Sequence, residues 1–340
     1  MATPSQSGKP SPERIFATLT GYQQAEALKA AIELDIFSKI AEGATDAAAL
    51  AKAIGASERG TRILCDYMTI QGFLAKEGTH YRLVQESAVF LDKRSPAYMG
   101  GMAGFLTCEM HRENFGKLAG AVRKGGTVGG DGSNFAPHDP FWVEFARSMG
   151  GLALHSAQYI AGLIGSAEGK PAKVLDIAAG HGMFGLAIAR MNPAAQIAAL
   201  DWPNVLAVAE ENAKKFGVSE RWSKRAGSAF EAEYGEGYDY ILLTNILHHF
   251  DPATCVTLMK RVHAALKTGG KAVTLEFVPN DDRVSPPMPA AFSLVMLANT
   301  DKGDAYTLKE YEKIFGEAGF SKTVAHPIPE MPQTVLVSEK

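Results

Sequence analysis

The sequence predicts an α/β protein: a doubly wound parallel sheet preceded by a mostly helical domain. Three observations predict it. From Lys173 onward, apolar strand-like runs alternate with amphipathic helical ones, the pattern of βαβ units. Before that point apolar residues recur at helical spacing, interrupted by one short pair of strand-like pieces. Between the two, "VLDIAAGHGMFG" (Val174–Gly185) passes from a buried-strand pattern straight into glycines, as a ligand loop does at the carboxyl end of such a sheet.

The chain of 340 residues is long enough for two domains, and 46% hydrophobic residues can build ordinary cores. A net charge of −3 gives no global attraction to nucleic acid or an anionic membrane. The three cysteines, Cys65, Cys108 and Cys255, are too far apart to suggest a disulfide framework or a metal site. No apolar run is long enough to span a bilayer, and "MATPSQSGKPSPER" has no apolar core like that of a signal peptide. The expectation is a frayed tail over residues 1–14 on a cytoplasmic protein with reduced thiols.

The elements follow in order. "YQQAEALKAAIELDIFSKI" places Ala27, Ala30, Ala31, Leu34, Ile36, Phe37 and Ile40 near one helical face. "TDAAALAKAIGASERGTRILCDYMTIQGFL" reads as helix, turn at Gly55, helix and a stop near Gly72, and "LAKEGTHYRLV" as a hairpin. Helix, turn, helix, hairpin is the winged-helix order. Residues 45–85 nevertheless carry five basic side chains against four acidic ones, without the clustered Lys/Arg that phosphate contacts need. A packing or dimerisation module is the better reading, so no nucleic-acid partner is expected. Further helices occupy about 100–165, broken by the loop-like "RKGGTVGGDGSNFAPHDP".

Then come strand "KVLDIA", helix "MFGLAIARM", strand "QIAALD", helix "PNVLAVAEENAKKFG" closed by Gly217, and strand "YDYILLTNIL". Helix "DPATCVTLMKRVHAALKTGG", strand "KAVTLEFV", helix "TLKEYEKIFGEAGF" and two strands around a Pro-rich turn complete the chain.

"GHGMFG" satisfies the glycine pattern of dinucleotide loops, whose helix N-terminus holds a pyrophosphate. Asp176, four residues before Gly180, would repel that group. A carboxylate there suits a ligand with positive charge and no phosphate, which S-adenosylmethionine (SAM) is. Asp201, 25 residues on at the next strand end, suits ribose hydroxyls of SAM or of NAD alike. "NILHHFDP" puts His248 and His249 at a strand's carboxyl end, where an imidazole can accept a substrate proton. Glu276, ending the following strand, is a candidate to orient His248.

Together these segments make the chain resemble the SAM-dependent O-methyltransferases of the caffeic acid and acetylserotonin type, from about Thr20 to the C-terminus. "DIAAGHG" stands at that family's D-x-G-x-G-x-G loop, "ALDWPNV" resembles its "DLPHV", and "LHHFDPATC" resembles its "HDWSDEHC". The resemblance implies a Rossmann-like methyltransferase sheet with an N-terminal winged-helix-like dimerisation domain, and a homodimer. It implies boundaries of 15–100 for the dimerisation domain, 101–165 for linking helices that reach the substrate pocket, and 166–340 for the SAM-binding domain. Cofactor contacts are implied for Asp176, Ala178, Gly180, Gly182, Asp201 and Trp202, and for Gly227, Ser228, Ala229, Phe230 and Asn245. His248 takes the place of the family's catalytic histidine and Glu276 that of its supporting glutamate. Phe141, Phe145, Met149, His249, Phe292, Met296 and Asn299 are the implied lining for a small-molecule substrate, and no metal is implied.

The sequence also departs from the family. Ser228 and Ala229 replace an aspartate and a methionine at the adenine end, and Ala178 replaces a loop glycine. Ala305 stands where the plant enzymes carry a second glutamate beside the histidine. The family includes C-methylating and non-methylating members. A regulator with a degenerate methyltransferase domain and an NAD-dependent oxidoreductase are the readings from other classes.

Overall fold

The computed structural model describes residues 10–129 and 139–340; half of the glycine-rich loop expected before Phe141, residues 130–138, lies outside the described residues. The chain divides into two compact units, one ending at Thr107 and one beginning at Cys108.

In the first unit a helix begins at Glu13, inside the stretch read as tail, and runs to Leu19. The helix expected over Tyr22–Ile40 is two helices, Gly21–Glu33 and Ile36–Ala41, because Asp35 adopts a left-handed conformation (φ 60°) that no helix interior tolerates. Helix Ala47–Ile54 starts where the Asp46 carboxylate accepts from the Ala49 amide at 2.8 Å, and it stops at left-handed Gly55 (φ 66°). Helix Glu58–Ile70 starts at Ser57 and leads into a hairpin, β1 (Leu74–Glu77) and β2 (His80–Leu83), turning at Gly78. Phe37, Leu50, Cys65, Met68, Leu74 and Tyr81 form its core. Arg62 and Lys76 both close on Asp66, and Arg82 on Glu77, so three of the five basic side chains of this module are already paired.

The second unit opens with helices Glu109–Gly116, Leu118–Lys124 and Pro140–Leu163. Its sheet contains β3 (Ala172–Ile177), β4 (Ala195–Asp201), β5 (Trp222–Ala226), β6 (Tyr238–Thr244), β7 (Leu266–Glu276), β8 (Lys322–Pro327) and β9 (Thr334–Glu339), in spatial order β5-β4-β3-β6-β7-β9-β8. Strands β5 to β7 along this order are parallel; β9 is antiparallel to both β7 and β8.

Successive residues of the central strands face opposite sides, so each strand reads as a continuous apolar run. Leu175, Ile177, Ile241 and Leu243 pack against helices Pro252–Ala265 and Leu308–Glu317 through Leu258, Met259, Tyr311 and Phe315. Val174, Leu242, Val273 and Leu275 pack on the other side, against Pro140–Leu163 and helix Met183–Met191. The strand order reverses between β3 and β6, and that switch point opens the crevice in which such sheets bind ligands.

In the second unit three elements differ from the sequence expectation. Strand β5 carries Ser223, Lys224 and Arg225 at an exposed sheet edge and has no apolar signature to announce it. The helix expected through Gly270 ends at Ala265; β7 starts at once and absorbs Gly269 (φ 72°) where its pairing with β6 shifts register. Strand β6 ends at Thr244, so His248 and His249 lie in a short 3-10 turn, Leu247–His249, rather than on the strand.

Candidate active site

The loop after β3 is built from left-handed residues: Ala178 (φ 53°), Gly180 (φ 55°) and Gly182 (φ 75°). Glycine takes this conformation freely, whereas for alanine at 178 it costs roughly 1–2 kcal/mol. A Cβ on Gly180 would meet only the Ala178 carbonyl oxygen, at 3.9 Å, so the backbone here faces open space. Gly185 serves packing instead: a Cβ there would lie 2.7 Å from the Ile197 side chain, and its absence lets helix Met183–Met191 sit directly on the sheet.

That helix N-terminus is already committed to the protein's own acceptors. The Met183 amide donates to His181 Nδ1 (3.1 Å) and the Gly185 amide to Asp176 Oδ2 (3.1 Å). With these amides used and a carboxylate beneath them, the geometry opposes a pyrophosphate, the group that a dinucleotide loop would hold. Burial holds His181 down, near 4, so it stays neutral as the amide's acceptor.

Asp176 is fully buried, and its second oxygen, Oδ1, has no hydrogen-bond partner among the described residues. Burial pushes its carboxyl up to about 7; the Gly185 amide opposes the shift and Asp201 adds to it. Asp201, at the end of β4, accepts from the Gly180 amide (2.8 Å) and the Trp202 amide (2.6 Å). Burial pushes it up to about 6 against those two bonds. Two such acids side by side favour a cationic ligand, and the orphaned Asp176 oxygen fits SAM, with its sulfonium and ammonium, rather than an anion. Trp202 caps helix Pro203–Lys215 and packs with Trp142 and Ala146.

Beyond β5, Gly227 (φ 149°) turns the chain. The Ser228 hydroxyl accepts from the Phe230 amide (3.1 Å), the Ala229 carbonyl accepts from Tyr234, and Phe230 meets Phe250 edge-on at 5.0 Å. After β6, Asn245 is left-handed (φ 57°), a conformation asparagine tolerates well. Its amide donates to Leu275 (2.8 Å), and Gln333 donates to its side-chain oxygen (2.6 Å).

The turn that follows brings His248 and Glu276 together, both buried. His248 Nδ1 lies 2.5 Å from Glu276 Oε2, while Glu276 Oε1 accepts from the amides of Ile246 (3.1 Å) and Leu247 (2.8 Å). A carboxylate only accepts, so the hydrogen of this bond is on Nδ1, and in the neutral imidazole the lone pair is then on Nε2. His249 is held well below its usual range by burial and by the neighbouring His248, which makes it a poor base.

Aromatic rings gather around this pair. Phe292 meets His248 edge-on at 4.9 Å and stacks on Phe277 at 4.0 Å. Trp142 meets His249 edge-on at 5.8 Å and lies between Phe141 (5.0 Å) and Phe145 (5.9 Å). Met149 is half-buried on the same helix, and Met296 is buried on helix Pro287–Asn299. Asn299 is committed to a polar cluster: its oxygen lies 3.0 Å from both His111 Nδ1 and Asn114 Nδ2, and its nitrogen donates to Val295. Trp142, Phe277 and His111 escaped the sequence reading. The first two flank residues it did single out, and that adjacency was the available signal; His111 is joined to Asn299 only by folding.

The O-methyltransferase domain profile matches residues 167–321, and the O-methyltransferase dimerisation domain profile matches residues 16–93. PigF, a SAM-dependent methyltransferase of a Serratia species, solved with S-adenosylhomocysteine (SAH), is 27% identical, covers 97% of this chain and all of its own, and has a TM-score of 0.84. Mouse acetylserotonin O-methyltransferase is 28% identical over 331 residues, 91% of this chain and 85% of that protein. A solved candidate O-methyltransferase from Nostoc punctiforme is 47% identical, covers 98% of this chain and all of its own, and has a TM-score of 0.94. Sequence identity at that level over nearly the whole length reflects common descent, and this chain belongs to the O-methyltransferase family, with SAM as its methyl donor.

Proposed function

We propose that the protein methylates a hydroxyl group of a hydrophobic aromatic or enolic small molecule, with His248 as general base. The observation that carries this reading is the buried His248–Glu276 bond, which engages Nδ1 and so puts the lone pair of the neutral imidazole on Nε2, beside the Phe292 ring. SAM supplies an activated methyl group when bound. Asp176 and Asp201 supply its acidic contacts, each Asp201 oxygen keeping a second lone pair for a ribose hydroxyl. The loop residues Ala178, Gly180 and Gly182 allow close backbone approach, Trp202 and Gly227–Phe230 border the adenine end, and Asn245 closes the strand side. Phe141, Phe145, Met149, Phe292 and Met296 form apolar walls that orient the acceptor and exclude water. His248 Nε2 takes the hydroxyl proton, and the Glu276 carboxylate stabilises the resulting imidazolium. His249 packs beside it, its imidazole held well below the usual range by burial.

The homodimer belongs to the same proposal. Ile15, Phe16, Leu19 and Tyr22 are each about two-thirds exposed in the single chain, more apolar surface than one short segment normally leaves in water.

The test is methyl transfer from labelled SAM to a panel of phenols, naphthols, hydroxyindoles and cyclic enols, with the products resolved by mass spectrometry. An O-methyl ether is the expected product; a methyl on carbon or nitrogen would contradict the reading.

A further inference from the structure

Ala305 is fully buried behind the His248 turn and brings no second carboxylate to the imidazole. The segment around it nevertheless holds the turn, through its backbone. Beside the His248–Glu276 bond, several main-chain groups of residues 246–250 are gripped by the second unit. The amides of Ile246 and Leu247 go to Glu276 Oε1. The Cys255 thiol donates to the Leu247 carbonyl at 3.2 Å, and the Asp304 amide to the His248 carbonyl at 2.9 Å. The Tyr306 hydroxyl donates to the Phe250 carbonyl at 2.5 Å. Gly303 lies so close that a Cβ there would overlap the His248 carbonyl oxygen.

At the far edge of the turn the Phe250 carbonyl accepts from the Tyr306 hydroxyl at 2.5 Å and, more distantly, from the Cys255 thiol at 3.8 Å, so Tyr306 makes the short grip there. It is buried, its ring meets Tyr311 edge-on at 5.7 Å, and the fully buried Tyr311 leaves it no room to swing away. Burial raises the Tyr306 phenol well above its usual range, so it remains a donor throughout the working pH range. The turn is thus clamped on both sides: Glu276 draws its leading amides toward β7, and Tyr306 draws its trailing carbonyl toward the segment that precedes helix Leu308–Glu317. His248 sits in the chain between the two anchored ends of the turn.

We infer that Tyr306 is a positioning residue for His248: through the Phe250 carbonyl it fixes the turn so that the imidazole keeps its bond to Glu276 and presents Nε2 to the acceptor. This rests on the reading of His248 as the base. It places on a neutral phenol and a backbone carbonyl part of the orienting task for which Ala305 offers no carboxylate.

The test uses the full chain with SAH. Proton NMR at low temperature should show an exchange-protected Nδ1 proton for His248, identified by its loss in His248→Ala. Tyr306→Phe keeps the ring and removes only the donor. One net hydrogen bond converts to roughly threefold to tenfold in an equilibrium. The expected result is therefore solvent exchange of that proton faster by that factor, kcat on a turned-over phenol lower by a similar factor, and an unchanged Kd for SAH. A purely structural role would instead lower the melting temperature and leave exchange in the folded protein as it was. Unchanged exchange in Tyr306→Phe overturns the inference and leaves the base reading standing. Full turnover by His248→Ala overturns the base reading, and the inference with it.

Discussion

Single residues set the ionisation of the cofactor loop. Asp176 is raised to about 7 by burial, against about 3.9 for an unfolded aspartate. Between those values the native protein holds a proton that the unfolded chain has released, so the contribution of Asp176 to stability falls as pH rises from 4 to 7 and is level above that. Asp176→Asn cannot titrate. The melting temperature of the ligand-free wild type, relative to Asp176→Asn, should therefore fall between pH 5 and pH 8; a constant difference would place Asp176 in a solvated site. At this scale the sequence was legible where ionisable groups follow apolar strands: Asp176, Asp201 and Glu276 lie at the ends of β3, β4 and β7, and His248 in the turn after β6. It was not legible where a side chain serves a backbone group. Nothing in the string "DAYT" marks Tyr306 as the partner of a carbonyl 56 positions earlier. The commitment of Asn299 to His111 and Asn114 is likewise a product of folding.

Elements were readable in proportion to their burial. Strands β3, β4, β6 and β7 are apolar on both faces because helices cover both faces, and helix Met183–Met191 falls where the sequence placed it. The edge strand β5 is polar because one edge and much of its surface meet water, so hydrophobicity could not reveal it. The break at Asp35 is a single left-handed residue within a helical pattern, invisible to periodicity. The first helix, Glu13–Leu19, buries none of its residues in the single chain and leaves Ile15, Phe16 and Leu19 exposed. If these face a second copy, light scattering at micromolar concentration should give twice the mass of the chain, and Phe16→Asp should shift the mass toward the monomer while helix content stays as in the wild type. A monomeric wild type would contradict the dimer.

On the scale of the whole molecule, the site is a consequence of topology. Parallel strands bring residues 176, 201, 248 and 276 to the carboxyl end of the sheet, and the reversal between β3 and β6 separates the glycine loop from the turn bearing His248. The alternation of strands and helices predicted that arrangement. The details of the turn bearing His248 were not predicted, because its geometry is set by Glu276, Cys255, Asp304 and Tyr306 acting together. The central claim is that His248 removes the acceptor proton, and the pH profile of kcat for His248→Ala tests it most directly, with SAH affinity measured alongside. General base catalysis contributes about 10²–10⁴-fold. The expected result is a loss in the lower part of that range at pH 7, with SAH affinity retained, shrinking as pH approaches the acceptor's own pKa, near 10 for a phenol. Full turnover by His248→Ala below pH 7 would contradict the claim.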